Sequence, residues 1–165
     1  MADKEPISDP TDIFMWRRIN DWLTSSGQPT EDQLGVIKTL AITHIVNLGL
    51  HTHEQALADE AASVRALDMH YIHIPVAFDR PTQEDFDAFG AIMQALQGQT
   101  IHVHCIANLR VSAFLYRYRR EHGHVSQGEA AEEMERVWKP GGVWASFIGR
   151  DQDNGLPHHY AGRDY

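Results

Sequence analysis

The chain has 165 residues, of which 42% are hydrophobic and 22% are charged, a composition typical of an ordinary globular domain. Fourteen basic residues against 23 acidic ones give a formal charge of −9. This charge argues against nucleic acid or an anionic membrane as partner, because both bind positive surfaces. The single cysteine, Cys105, excludes an internal disulfide and a zinc site with several thiolates.

The ends of the chain do not predict export or membrane insertion. No stretch approaches the roughly 20 apolar residues that span a bilayer, and the N-terminus is too acidic and polar for a signal peptide. We therefore expect a cytoplasmic protein without a membrane partner, in a compartment that keeps Cys105 reduced. The length fits a single domain over 1–165, with a core at about 22–150 and loose termini at 1–10 and 151–165.

Patterns in the first half of the chain predict both helices and strands. The apolar residues within 13–23 favour a short helix, or a helix that runs into a strand. Thr30 and Gln33 have the spacing of a capping box, which marks the start of a helix. The further predicted elements are a helix from Thr30 to about Leu40, a strand at 42–48, a helix at 54–67 and a strand at 70–76.

The second half continues the alternation of strands and helices. Thr82 with Asp85, and Ser126 with Glu129, again have capping-box spacing. The predicted elements are helices at 84–96, 112 to about 121, 126–138 and 143–148, and a strand at 100–104. Such alternation predicts an α/β domain with a central, mostly parallel sheet of four to five strands flanked by helices.

Cys105 stands at the C-terminal end of the predicted strand 100–104 and is followed by a short loop and a helix. Open α/β sheets bind ligands at this edge, because loop N–H groups and the positive end of the next helix form a cradle for an anion. The same field lowers the pKa of a thiol and so activates it. Arg110 adds a planar fork that can bind two oxygens of a phosphate or sulfate.

A second interpretation of Cys105 stays open at this point. A lone cysteine after a strand is commonly a small buried hydrophobic residue without chemistry. Arg110 weighs against this interpretation, because a helix N-terminus is an unfavourable place for a cation unless an anion is bound nearby. The residues alone therefore favour an anion site over a purely structural cysteine.

The stretch His104–Phe114 resembles the active-site loop of the cysteine-dependent protein tyrosine phosphatases, in particular a small bacterial dual-specificity-like group. It has that group's HCxxNxRxSAF pattern. Three other segments resemble the group in the same order, and the resemblance covers roughly 22–150. These segments are an SGQPT turn at 26–30, an IINL-like strand at 45–48 and the strand before the acid loop at 71–76.

This resemblance implies a role for each residue of the loop. Cys105 would attack phosphorus, and Arg110 would bind the phosphoryl oxygens and stabilise the transition state. Ser112 would donate a hydrogen bond to the cysteine sulfur and assist hydrolysis of the intermediate, and His104 would lie below the loop and help to fix the thiolate. The residues that would bind phosphate through backbone N–H groups are Ile106, Ala107, Asn108 and Leu109.

The resemblance also implies a general acid on the loop after the second parallel strand. Asp79, in the segment 76–81, is the best candidate. Asp85 is the fallback, although its position three residues after Thr82 favours a role in capping a helix.

The loop departs from the pattern of the superfamily in its length. The superfamily has five residues between cysteine and arginine, and this chain has four, so that Val111 stands where the arginine usually does. The loop also lacks glycine, and Asn108 is its one residue that tolerates a positive φ. The shorter loop changes the angle from which Arg110 approaches an anion, or turns it elsewhere.

Three functions are compatible with these features. The first is hydrolysis of phosphomonoesters through a cysteinyl-phosphate, with a phosphorylated protein or a small phosphomonoester as substrate and no cofactor. The second is a weakly active or non-catalytic domain that binds phosphate or sulfate. The third is a rhodanese-like sulfurtransferase, which also uses a cysteine on a short loop after a strand.

The 11 histidines do not predict a metal site. Only His102 and His104 lie two apart on a strand and so share a face. None of the close pairs has a carboxylate at the helical spacing typical of metal ligands. We therefore expect surface or core histidines and no metal.

Overall fold

The chain folds around one five-stranded sheet. The computed structural model describes residues 8–150, 157, 158, 160 and 165, so most of the predicted loose termini at 1–10 and 151–165 lies outside the described residues. The elements in chain order are β1 (Arg17–Asn20), β2 (Leu23–Ser26), α1 (Glu31–Lys38), β3 (His44–Asn47), α2 (Glu60–Ala66), β4 (His70–His73), α3 (Gln83–Ala95), β5 (Ile101–His104), α4 (Leu109–His122), α5 (Gln127–Glu135) and α6 (Val143–Phe147).

The predicted mostly parallel sheet is confirmed. Its strand order is β1-β2-β5-β3-β4, and only β1 runs antiparallel to its neighbour. The central strand β5 ends at His104, which lies opposite Ser26 of β2 and Asn47 of β3. Cys105 therefore leaves the sheet at its centre, between the carboxyl ends of two parallel neighbours.

The helix predicted from the apolar residues within 13–23 is wrong. This segment contains β1 and the turn into β2, which form a hairpin, and the backbone N–H of Trp22 in the turn donates to Asn20 Oδ1 at 3.0 Å. Ile13 is buried on one side of the sheet and Leu23 on the other. Apolar residues that pack into the cores on both faces of a sheet have irregular spacing in the sequence. Such spacing resembles that of an amphipathic helix.

The start of the second helix also differs from the prediction. The helix expected over 54–67 begins at Glu60, and Asp59 is its N-cap, with Oδ1 accepting from the backbone N–H of Ala62 at 3.1 Å. The residues before the cap form turns. Aspartate favours the cap because its side chain satisfies an N–H that the first turn leaves open. The predicted capping boxes at Thr30 and Thr82 are formed. At Ser126 only half of the predicted box is present among the described residues: Ser126 Oγ accepts from the N–H of Glu129 at 3.1 Å, without the return bond from the Glu129 side chain.

Helices cover both faces of the sheet, and the larger core lies on one of them. Helices α3 to α6 pack on the face that carries Val46 and Val103, whereas α1 and α2 pack on the face that carries Ile45. In the described part of the chain, no helix is long and apolar enough to cross a membrane.

The face under α1 and α2 has a polar centre. His102 is fully buried there between Thr24 Oγ1 and Ser26 Oγ, each at 2.8 Å, and its ring stacks on Trp16 with the centroids 4.9 Å apart. Burial, together with the nearby charge of His104, holds the pKa of His102 well below its usual value. His102 is therefore a neutral core residue at physiological pH.

The buried His102 predicts a loss of stability in mild acid. The unfolded chain binds a proton at this side chain near pH 6.5 and the folded chain does so only at lower pH, so the stability falls as the pH drops below about 6.5. One such group contributes a slope of at most about 1.4 kcal/mol per pH unit. We expect the Tm of His102→Gln to fall less between pH 7 and pH 5 than the Tm of the wild type. Equal decreases in the two proteins would contradict the assignment.

Candidate active site

The segment Cys105–Leu109, here called the anion loop, connects β5 to α4 and is buried along its whole length. The segments that follow the neighbouring strands hold it on both sides. The backbone N–H of Gln28, after β2, donates to Ile106 O at 3.0 Å, and that of Leu48, after β3, donates to His104 O at 2.8 Å. The anion loop is thus fixed by the sheet.

The carbonyl groups at the start of the anion loop point towards protein donors. His104 Nδ1 lies 3.0 Å from Cys105 O, and the N–H of Gln28 binds Ile106 O. In a planar trans peptide the N–H points opposite to the C=O. The N–H groups of Ile106 and Ala107 therefore point away from His104 and Gln28, towards one common side.

The backbone N–H groups of the anion loop after Cys105 lack a hydrogen-bond acceptor in the described part of the chain. Within the described residues, nothing accepts a hydrogen bond from the backbone N–H of Ile106, Ala107, Asn108 or Leu109. Buried N–H groups without an acceptor are rare in native proteins, and several in succession form a site for an anion.

The end of the anion loop adds the N-terminus of α4 to this site. Asn108, the loop residue expected to tolerate a positive φ, has φ 65°, and its Nδ2 donates to Met15 O at 2.9 Å and to Ser25 Oγ at 3.1 Å. Its side chain therefore does not cap the helix. Helix α4 begins at Leu109, three residues before the predicted start, so both Arg110 and Ser112 lie in its first turns. An uncapped helix N-terminus attracts negative charge.

Arg110 is the buried cation of the site. Its side chain is fully buried, and Nη1 donates to Val76 O at 2.8 Å. The guanidinium carbon lies 5.8 Å from the centre of the Phe78 ring. Val111, which stands at the usual position of the arginine, packs into the larger core. Arg110 thus joins the anion loop to the segment that follows β4.

The segment that follows β4 carries Asp79, the predicted general acid. Asp79 is exposed in a turn in which the N–H of Arg80 donates to Ala77 O at 3.1 Å. The preceding residue, Phe78, is held by a 2.7 Å hydrogen bond from Trp144 Nε1 to its carbonyl. Asp85, the fallback, accepts from the N–H of Thr82 at 3.2 Å and caps α3. Its carboxylate is therefore already used in a helix cap.

The other two predicted site residues have partners of their own. Ser112 Oγ donates to Leu109 O at 2.9 Å, so a hydrogen bond from this hydroxyl to the cysteine sulfur requires it to rotate. His104 Nε2 forms a buried pair with Glu60 Oε2 at 2.6 Å. In the described part of the chain, no three His, Cys, Asp or Glu side chains are placed to hold a metal ion.

Glu60 and Gln28 were not recognised from the sequence. Glu60 is 3% exposed, and Gln28 Nε2 donates to its Oε1 at 2.8 Å. The available signal is the helical spacing of Glu60 with Val64 and Leu67, which places the glutamate on the apolar face of α2. A carboxylate on an apolar face needs a partner, but the sequence does not show that His104 provides it.

Comparison with known proteins supports the resemblance to the cysteine-dependent protein tyrosine phosphatases. No protein-family model and no curated protein matches the sequence. A solved DUF442 protein from Shewanella putrefaciens CN-32, named as a candidate phosphatase, is 28% identical and has a TM-score of 0.75, with 87% of this chain and 95% of that one covered. TpbA from P. aeruginosa is 18% identical, with a TM-score of 0.64 and coverage of 89% and 82%.

A third relative in structure is the core catalytic domain of SIW14, a PP-IP phosphatase from S. cerevisiae. It is 14% identical and has a TM-score of 0.66, with 81% of this chain and 82% of that one covered. A cysteine-to-serine form of TpbA has been solved in complex with phosphotyrosine. The resemblance to the cysteine-dependent protein tyrosine phosphatases is therefore confirmed at the level of the fold.

The packing around Gly27 yields a test of the anion loop. A Cβ atom at Gly27 would lie 2.5 Å from Ile106 O and 2.8 Å from Phe14 Cδ1, so Gly27→Ala must displace the Ile106 carbonyl. We expect it to weaken binding of inorganic phosphate about tenfold, the effect of one lost hydrogen bond to a charged group. Isothermal titration calorimetry measures this change.

Gly35→Ala is the matched control, because no atom lies within 4 Å of its Cβ position and it lies within α1. We expect it to leave phosphate binding unchanged and to raise the stability by about 1 kcal/mol. Phosphate binding at the wild-type level in Gly27→Ala would show that the Ile106 carbonyl does not orient the site.

Proposed function

We propose that this chain, which has the fold of the cysteine-dependent phosphatases, hydrolyses phosphomonoesters through a cysteinyl-phosphate on Cys105. The observation that supports this function best is the set of buried N–H groups after Cys105 that lack an acceptor within the described residues. In the proposed mechanism they are the donors that would bind the oxygens of a phosphoryl group on the sulfur. A cysteine that only filled the core would not need them.

In the first step, the Cys105 thiolate attacks phosphorus. A sulfur–phosphorus bond forms while the ester P–O bond breaks, and Asp79 donates a proton to the leaving oxygen. In the second step, water attacks phosphorus and gives a proton to the Asp79 carboxylate, and the sulfur–phosphorus bond breaks. The products are an alcohol or phenol, inorganic phosphate and the regenerated thiolate.

Negative charge on the transferred phosphoryl oxygens is stabilised by the anion loop and by Arg110. The N–H groups of Ile106 to Leu109 donate to the equatorial oxygens, and the guanidinium of Arg110 supplies the compensating positive charge. Because the chain carries a formal charge of −9, attraction of an anion depends on this local field rather than on the protein as a whole.

Arg110 contacts the segment that carries Asp79, and this contact supports a mechanism in which both residues act on the same phosphoryl group. Arg110 binds Val76 O, and Phe78 packs beside the guanidinium. Asp79 follows Phe78 directly and projects from a turn that is tied to this contact. Among the described residues, no donor bonds the Asp79 carboxylate, which leaves it available to a leaving group.

The substrate that we propose is a phosphorylated protein or a small phosphomonoester. Phosphotyrosine is the ligand of one structural relative, TpbA. We favour hydrolysis over sulfur transfer because the solved relatives include a protein named as a candidate phosphatase and a PP-IP phosphatase. A domain that only binds phosphate or sulfate is the other candidate, and the same assays distinguish it.

The nucleophile is tested with p-nitrophenyl phosphate. We expect turnover by the wild type, no turnover by Cys105→Ser, and a rate about 100-fold lower in Arg110→Lys, which keeps the charge but loses the planar fork. Turnover that persists in Cys105→Ser would contradict the mechanism. A positive thiosulfate-to-cyanide assay without hydrolysis would indicate a sulfurtransferase. Phosphate binding without either activity would indicate a binding domain.

The general acid is tested by varying the leaving group. For Asp79→Asn, we expect the rate with alkyl phosphates to fall about 100-fold or more, the usual contribution of general acid catalysis. The rate with p-nitrophenyl phosphate should fall much less, because p-nitrophenolate leaves without a proton.

Asp85→Asn serves as the control for this experiment. Its effect should be limited to a lower Tm, since Asp85 caps α3. An equal loss of kcat/KM for both substrates in Asp79→Asn would assign the acid role to another residue, because kcat/KM reports the first step and not the hydrolysis of the intermediate, in which Asp79 acts as base.

A further inference from the structure

Two hydrogen-bonded arms, one through His104 and one through Gln28, connect Glu60 to the anion loop. Its Oε2 lies 2.6 Å from His104 Nε2, and the other nitrogen of that ring lies 3.0 Å from Cys105 O. Its Oε1 accepts from Gln28 Nε2 at 2.8 Å, and the backbone N–H of Gln28 donates to Ile106 O. Each arm thus ends on a carbonyl of the anion loop.

The hydrogen bonds define the protonation state of His104. A backbone carbonyl only accepts, so Nδ1 of His104 donates to Cys105 O. Gln28 Nε2 also donates to Pro29 O at 3.0 Å, which orients this amide and leaves Glu60 as an acceptor. An ionised carboxylate accepts at both oxygens, so Nε2 of His104 donates as well. A ring that donates at both nitrogens is an imidazolium.

The surroundings of Glu60 favour its ionised form. Burial alone would raise the pKa of Glu60, but the charge of His104 and the hydrogen bonds from His104 and Gln28 outweigh burial and hold the pKa below its usual value. A buried carboxylate is tolerated only when its oxygens are bonded, and both are.

We propose that Glu60 is the positioning residue of this site: it keeps His104 as an imidazolium directly before Cys105 and so keeps the nucleophile as a thiolate. Only the expected effect of Glu60 on catalysis rests on the proposed function. The effect on the thiol itself exists whether or not the protein turns over a substrate.

The other titratable groups near His104 do not replace Glu60. His102 on β5 lies on the same face, with the ring centroids 6.3 Å apart, and its pKa is lowered by burial. His73 on β4 binds Gly49 O and stacks on His51, and burial lowers its pKa too. Tyr71 on β4 hydrogen bonds to Asn47. Among the described residues, Glu60 is the carboxylate that contacts His104.

The test measures the Cys105 thiol directly. Because Cys105 is buried, its ionisation is followed by the ultraviolet absorbance of the thiolate, which needs no access of a reagent, and the absorbance against pH gives the pKa of the single cysteine in the free protein. In Glu60→Gln the amide can donate to Nε2, so His104 becomes neutral and the thiolate loses a neighbouring positive charge. We expect the inflection to move up by about one pH unit or more, the size of shift that one adjacent charge produces.

Two comparisons separate this effect from a general loss of structure. Glu54→Gln, an exposed glutamate before α2, should keep the wild-type inflection and activity. In His104→Gln the inflection should move up as in Glu60→Gln, and combining both changes should move it no further, because Glu60 acts through His104. An unchanged inflection in folded Glu60→Gln would overturn the proposal, as would additive shifts.

A measurement on the wild type keeps the proposal testable if the variants do not fold. In the nitrogen NMR spectrum of uniformly labelled protein at neutral pH, both ring nitrogens of His104 should carry protons. A signal from an unprotonated Nε2 would overturn the proposal. If the thiolate inflection moves up in Glu60→Gln as expected but the wild type has no hydrolytic activity, the proposed function is contradicted and the role of Glu60 remains.

Discussion

The site depends on the hydrogen bonds that hold the carbonyls of Cys105 and Ile106. His104 and Gln28 bind these two oxygens, and the planarity of the peptide then points the following N–H groups to the opposite side. The proposed anion site would therefore be oriented by donors that never contact the anion. The anion loop has no glycine to ease its turns, and these hydrogen bonds hold its backbone in place instead.

The central strand makes this arrangement possible because its neighbours run parallel to it. β2 and β3 end beside His104, so the segments that follow them lie next to the anion loop and supply Gln28 and Leu48. Helix α2 then approaches from the polar face and brings Glu60 beneath His104. The fold therefore supports the candidate site through the polar centre of this face, where buried polar side chains form hydrogen bonds with each other.

Local patterns predicted the parallel core of the fold and the central loop of the site. The β-branched strands and the capping boxes at Thr30 and Thr82 are encoded within a few residues, and Asn108, the loop residue expected to tolerate a positive φ, adopts one. The β1–β2 hairpin was not predicted, because its apolar residues serve two layers. Glu60 was missed because its partner His104 is 44 residues away, and such a pairing follows only from the topology.

The most direct test of the proposed mechanism is to observe the intermediate. The protein is mixed with p-nitrophenyl phosphate, denatured within the first turnovers at neutral pH, and digested for mass spectrometry. The mechanism predicts one phosphoryl group on the peptide that contains Cys105, and none on that peptide in Cys105→Ser. Turnover without phosphoryl transfer to Cys105, or a phosphoryl group on another residue, would contradict it.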